Sequence, residues 1–437
     1  EGALYQALFF PEYKGPLGNK ITWSGQIHAL LVDAYGNMRE DTPTELYPNG
    51  NKKLNLEIDK IILFDGSTVY KYGDDNGNSR IDSDEEIPDE IGTMSDIHFL
   101  WNSNEWLNEM SDTNAVTQRG SYNSVLQQRY IFTFIDANEN MIADAGEQVP
   151  FVCPSLPAAA DLTDTTKIFP YIQVGPTFGD EPYIVYDGSS ISMDNFRTNH
   201  ASDFDDFLQH QTQRVINYIR GEDQLQYDST TAPSYTIPAF RSRKVDYDED
   251  NTVETWRLAD CIYSTPTFVG RPTEAYHMIY RDSSYAEFAA HYNNRRGVVY
   301  VGSNDGMFHA FNSGFFDYKN NEFLKSPTSD TSSPDYRTEF DLGAELWAYV
   351  PYNLLPHLYW LTEQGYGPPD AHVYYCDLKP RIFDAKMFPD DADHINGWGT
   401  VLVGGMRLGG GKIGADMDKT DGPGYVDGTD RTMRSAY

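Results

Sequence analysis

The sequence predicts a mainly β fold, a modified β-propeller with helical insertions and Asp/Asn-rich loops, on three observations. The first is Arg296 to Phe311, RGVVYVGSNDGMFHAF, where a β-branched run, a turn and a second apolar run read as a hairpin. The second is Ala344 to Val350, an alternating segment with a tryptophan that supplies a third strand. Three short strands of this kind make most of a propeller blade. The third is an aromatic fraction of 14%, with 31 Tyr, which favours sheets over helical bundles.

Composition narrows the function classes. A chain of 437 residues can bury one large core or two. Asp plus Glu number 66 against 33 Lys plus Arg, a net charge of -33 that repels a phosphate backbone and argues against nucleic acid as a partner. No apolar run is long enough for a transmembrane segment, and Glu1-Gly2-Ala3 is no signal peptide, so the chain is read as a soluble, already processed polypeptide. Cys153, Cys261 and Cys376 are far apart without CxxC spacing, against zinc and thioredoxin chemistry. Either one disulfide with a spare thiol or three buried unpaired cysteines fits them.

In chain order, Ile21 to Asp33 alternates apolar and polar residues and enters a Tyr35-Gly36-Asn37 turn. Lys60 to Phe64 and Thr68 to Tyr72 predict two strands joined at Asp65-Gly66. Asn104 to Met110 predicts a short helix and Tyr285 to Tyr292 another. A longer helix is expected with Ser202 as its cap and with Phe204, Phe207, Leu208, Val215, Ile216 and Ile219 on one face, ending at Gly221. The expected organisation is a β-rich propeller region over 1–190, a helical insertion over 191–243 and propeller blades over 244–437 that end before closure.

Between these elements lie two oxygen-rich segments. Asp74, Asn76, Asn78, Asp82 and Glu85 occupy positions 1, 3, 5, 9 and 12 of a twelve-residue loop, with Arg80 at position 7 lending its carbonyl. Asp136, Asn138, Asn140, Asp144 and Glu147 repeat the spacing, with Ile142 at position 7. Such a loop turns alternate side chains inward, so hard oxygen donors surround a hard cation; Ca2+ is the expected cofactor. The glycine usual at position 6 is Ser79 in the first loop. Strand-like residues precede both loops, so they are read as strand-linked calcium staples rather than paired EF-hands. Three carboxylates per loop imply binding on the order of 10⁻⁶ to 10⁻³ M.

Trp256 to Gly270, WRLADCIYSTPTFVG, with Phe240-Arg241-Ser242-Arg243 upstream and VVYVGSNDGMFHAF downstream, resembles the PilC/PilY family of type IV pilus tip proteins. Trp23-Ser24-Gly25, Gly36 to Asp41, Ile219 to Asp223, Glu345 to Pro351 and Thr400 to Gly405 extend the resemblance over nearly the whole chain. It implies a modified β-propeller, calcium binding and export through the periplasm to the cell surface or pilus tip. It further implies roles in pilus biogenesis, control of retraction and adhesion. The expected partners are minor pilins or a pilus tip complex and a host or abiotic surface. The family pattern continues beyond Arg434-Ser435-Ala436-Tyr437 into further blades, and its amino-terminal adhesive domain has no counterpart here. Asp260-Cys261 stands where a Gly-Asp-Ile-like sequence is expected, and no Arg-Gly-Asp occurs.

No enzyme is expected. Gly302 to Gly306 with Glu345-Leu346-Trp347 also resembles repeats of pyrroloquinoline-quinone dehydrogenases, but no cysteines are adjacent and the docking pattern occurs clearly once. A secreted propeller acting purely as a scaffold is the other alternative. His309, His357 and His372 sit among apolar neighbours and read as structural; Ser264-Thr265-Pro266 lacks a nucleophile elbow. Carboxylate pairs are too abundant to single out a glycosidase dyad, and the glycines at 404–405 and 409–411 lack a P-loop Lys-Ser or Lys-Thr.

Overall fold

The computed structural model describes residues 2–42, 52–136, 138, 140, 142–174, 183–230, 233–248, 250–330, 332–334, 339–367, 372–410, 414–416 and 432–434. The chain end at 435–437 and the last of the 409–411 glycines lie outside them. The fold is mainly β, and among the described residues no sheet closes on itself.

The first sheet begins with a long hairpin. Gly2–Lys14 pairs antiparallel with Lys20–Val32 along its whole length, as the alternation from Ile21 to Asp33 predicts. Met38–Arg39, Ile61–Asp65, Thr68–Tyr72 and Glu90–Gly92 follow in order, and Trp101–Asn102 also pairs with Lys20–Val32. The turn between Ile61–Asp65 and Thr68–Tyr72 places Gly66 at φ 61, where a side chain would be strained.

The second sheet contains the hairpin of the opening observation. Gly297–Gly302 pairs with Phe308–Asp317, closing at Gly302 and Phe308 around the Ser303 to Met307 turn. Glu345–Tyr349 adds to the other side of Phe308–Asp317, and Thr267–Val269 lies beyond Gly297–Gly302. Ile131–Phe134 joins Glu345–Tyr349 in parallel, with Gln148–Pro150 outside it. Strands near residues 130–150 and strands after residue 266 therefore share one sheet.

Two large cores flank this sheet. On one side the helix Ala201–Arg220 buries Phe204, Phe207, Leu208, Val215, Ile216 and Ile219 in a cluster that includes Ile131, Phe308 and Ala348. On the other, Val299, Val301, Ala310 and Phe311 meet Ile27, Ala29 and Leu31 of the first sheet and Leu107 of the short helix Ser103–Asn108. Each fully buried Val, Leu, Ile or Phe contributes roughly 1.5–3 kcal/mol, so the alternation of the strands dictates which faces meet.

One cap expectation fails. The long helix starts at Ala201 with His200 as its N-cap, because the helix Met193–Asn199 runs into it; Ser202 lies inside. Gly221 ends it as expected, at φ 122. The second short helix is Ser283–His291, capped by the Asp282 side chain. All three cysteines are buried and unpaired, so no disulfide forms. No described helix is long and apolar enough to cross a membrane.

Candidate functional site

Each predicted loop joins two strands. Residues 74–85 lie between Thr68–Tyr72 and Glu90–Gly92, residues 136–147 between Ile131–Phe134 and Gln148–Pro150. Ala137, Glu139 and Met141 lie outside the described residues.

The structure brings the spaced side chains together in both loops, through one hydrogen-bond pattern. In the first, the Asn76 and Asn78 amides donate to Asp82 Oδ2 at 3.0 and 2.7 Å. In the second, Asn138 and Asn140 donate to Asp144 Oδ2 at 2.9 and 2.8 Å. The position-1 carboxylate accepts the position-5 N–H: Asn78 to Asp74 at 2.9 Å, Asn140 to Asp136 at 3.0 Å. The position-7 N–H of Arg80 or Ile142 donates to the Asn Oδ1 at position 5. The position-12 acid accepts the position-9 N–H: Asp82 to Glu85 at 3.0 Å, Asp144 to Glu147 at 2.8 Å. Amide donors hold Asp82 and Asp144 below the ordinary carboxylate range, through Asn76 and Asn78 in one case and Asn138 and Asn140 in the other. Ser79 takes the left-handed conformation of position 6, at φ 61, so the missing glycine does not prevent the turn.

The donor set suits a hard cation. Each loop offers Asp and Glu carboxylates and Asn side-chain oxygens at its spaced positions, and among the described residues these positions carry no His or Cys. The Asn amides now present N–H to Asp82 and Asp144; a half-turn of each amide presents oxygen instead.

Behind the first loop lies a buried ion network. Arg39, wholly buried, donates to Asp33 at 2.9 Å and to Asp74 at 2.5 Å. Its Nη1 donates to the carbonyls of Leu56 and Asp59, and its Nη2 also reaches the Ser79 hydroxyl at 3.4 Å. Asp33 also accepts from Asn37, whose amide reaches the Ser79 carbonyl at 2.9 Å. Burial opposes the charge on Asp33, but Asn37 and Arg39 outweigh it and lower its pKa to about 2. Glu40 pairs with buried Lys71 at 2.8 Å. The Gly36 to Asp41 segment thus docks the first loop.

A second charged chain runs through the hairpin of Gly297–Gly302 and Phe308–Asp317. Asp305 faces His309 Nε2 at 3.0 Å, and His309 Nδ1 faces Glu345 at 2.9 Å. Arg129 grips Glu345 with two N–H groups at 2.9 and 2.7 Å and donates a third to the Arg220 carbonyl. Burial disfavours these charges and the ion pairs prevail. Asp305 and Glu345 raise His309 to about 9, while Arg129 and His309 hold Glu345 well below the ordinary range. On the other side of the turn, Asn304 donates to Asp260 at 2.5 Å, and His372 faces Asp260 at 3.0 Å. Ser264 accepts the Gly302 N–H at 2.7 Å. The segments WRLADC, STP, VGSNDG, ELW and IRGED are therefore parts of one buried polar hub.

This corrects the reading of the histidines as sitting among apolar groups. His309 and His372 face carboxylates; His357 alone of the three fits, since burial lowers it to about 4. Spacing could not reveal Arg39 or Arg129 as partners, because Asp74 lies 35 residues from Arg39 and Glu345 lies 216 from Arg129.

Residues 258–427 match the family model described as the PilY1 beta-propeller domain. A PilY1 homolog of Xylella fastidiosa, named a type IV pilus biogenesis factor, is 30% identical over 47% of this chain and 13% of its own length. Type IV pilus biogenesis factor PilY1 of Pseudomonas aeruginosa PAO1 is 31% identical over 38% of this chain and 11% of its own. In strain UCBPP-PA14 the figures are 32%, 38% and 12%. The chain thus spans about an eighth of the length of these curated relatives. No solved structure matches.

Proposed function

We propose that this chain, a member of the PilY1 family through its β-propeller residues 258–427, forms a calcium-stapled part of a type IV pilus biogenesis protein. It acts at the pilus tip on the cell surface, with minor pilins as partners, and contributes to control of retraction and to adhesion. The observation that carries the pilus role is the propeller match, joined to relatives named as type IV pilus biogenesis factors.

In the calcium reading, Asp74, Asn76, Asn78, Asp82 and Glu85 hold one ion with the Arg80 carbonyl. Asp136, Asn138, Asn140, Asp144 and Glu147 hold another with the Ile142 carbonyl. What supports this is the shared pattern, which ties the five oxygen-bearing positions of each loop together by hydrogen bonds. Bound calcium supplies positive charge against the carboxylates and rigidifies the loop. The protein's part is to fix the strand ends: Arg39 anchors the first loop, and the Ile135 to Glu147 backbone bond at 2.9 Å closes the second.

The pilus role is tested by tagging the chain in its native protein and labelling intact filaments with immunogold. Label at filament ends, with minor pilins co-purifying, is expected. Label distributed along another filament, or a free protein carrying a quinone chromophore, contradicts it.

A further inference from the structure

Three sheets leave a cleft at their junction that neither the twelve-residue loops nor the buried hub uses. Tyr5 of Gly2–Lys14 forms one side, and the edge strand Thr267–Val269 with the residues that follow it forms another. The third side is the antiparallel hairpin of Leu378–Lys386 and Trp398–Gly405, through Phe383, Asp384 and Thr400. The cleft measures about 350 Å³, within the roughly 300–1,000 Å³ of small-molecule sites, which favour such junctions.

Its apolar lining consists of aromatic rings left in solvent: Phe268 is 48% exposed, Phe383 41% and Tyr318 64%. Phe268 is held in place. It stacks on Tyr5 with centroids 5.2 Å apart and planes at 12°, and the Tyr5 hydroxyl is tied to Ser313 Oγ at 2.7 Å. A Cβ on Gly270 or Gly297 would lie 3.0 or 2.8 Å from the Phe268 ring, so both glycines make room for it. The polar lining is fixed as firmly. Arg295 donates to the Gly270 carbonyl and, at 2.7 Å, to Thr400 Oγ1. Thr400 donates to Asp384 Oδ1 at 2.7 Å, and the Tyr285 hydroxyl donates to Asp384 Oδ2 at 2.7 Å. Arg271, exposed, lies over the Tyr318 ring at 4.7 Å, and exposed Asn293 completes the rim. Arg271 and Arg295 offset Glu274 and Asp384, so the cleft is electrically balanced on a chain of net charge -33.

We propose that this cleft binds a neutral saccharide, a mono- or disaccharide unit of a glycan. A sugar ring presents a C–H face that lies against the negative face of an aromatic ring. Its hydroxyls are each donor and acceptor, and planar guanidinium, amide and carboxylate groups bracket neighbouring hydroxyls in pairs. Phe268, Phe383 and Tyr318 supply the first kind of surface; Arg271, Asn293, Arg295 and Glu274 supply the second. A polyanion is opposed by Glu274, Asp384 and the net charge of the chain. A purely apolar ligand would strip water from the polar wall and return no hydrogen bonds. Rings and arginines already held in place lose little freedom on binding. The cleft gives the proposed adhesion a ligand class, and it depends on neither the calcium reading nor the pilus reading.

The test applies the full chain, in buffer with calcium chloride, to a printed array of neutral and sialylated oligosaccharides, and titrates the strongest binder by calorimetry. Signal on neutral glycans is expected. Tyr318→Ala and Phe383→Ala, both at exposed rings, should each weaken binding by about tenfold or more, and Arg271→Gln should weaken it less, all with the melting temperature unchanged. An array without signal, signal on sialylated glycans alone, or an affinity that survives the loss of both rings overturns the site. Filament labelling reads the pilus role without reference to any glycan, so the two ideas fail separately.

Discussion

The loops at 74–85 and 136–147 share their internal hydrogen bonds, yet they rest on different foundations. Asp74 is 1% exposed and paired with wholly buried Arg39, which also holds Asp33. The second loop caps an outer hairpin of the second sheet, and its Asn138, Asn140 and Asp144 bonds are exposed. The same twelve-residue pattern can thus be part of the core or an appendage of a strand end. The difference lies in an arginine outside the loop.

The largest expected effect breaks this comparison if it fails. Asp74→Ala leaves Arg39 short of one buried carboxylate and should cost about 3–5 kcal/mol in chelator, read by urea denaturation. Asp136→Ala removes an acceptor for the Asn140 N–H and should cost about 1 kcal/mol. Equal losses would mean that Arg39 does not set the first loop apart.

The next effect separates the loops from the propeller hub by pH. His309 is raised to about 9, so its pairs with Asp305 and Glu345 stabilise the fold fully below its unfolded pKa of about 6.5. That stability, about 3 kcal/mol, is lost as pH rises through about 9. His309→Gln should flatten this alkaline decline. Asp82 and Asp144 are lowered, so their contribution is present above the unfolded carboxylate value and disappears as pH falls through the folded one. Thermal melts across pH should show loop variants altering the acid side and the His309 variant the alkaline side.

Calcium at one hundred times its dissociation constant should stabilise the chain by about 2.7 kcal/mol per coupled site. The gain should be larger through the first loop, which is tied to the core, than through the second, where local ordering need not reach the global transition. The smallest effect is Ser79→Gly. It relieves the positive φ but removes a hydroxyl 3.4 Å from Arg39, so stability should change by less than about 0.5 kcal/mol. A large loss would show that the hydroxyl matters more than the backbone.

Local pattern made much of the fold legible. The strands Lys20–Val32 and Thr68–Tyr72, the 297–317 hairpin and the face of the long helix follow from alternation, turn residues and helical spacing. Long-range order was not written locally: nothing in Ile131–Phe134 announces a parallel pairing with Glu345–Tyr349. Ser202 misled because a good capping residue sits just inside a helix whose start is set by the preceding turn of Met193–Asn199. Both twelve-residue loops were legible because their oxygen-bearing side chains lie close in sequence.

The most direct measurement is a calorimetric calcium titration of the chelator-stripped full chain beside its Asp136→Ala, Asp144→Ala variant. The twin-loop account predicts one fewer calcium bound by the variant, with the fold in chelator nearly as stable as before. The same number of ions in both proteins, or no calcium heat from the intact chain, would contradict it.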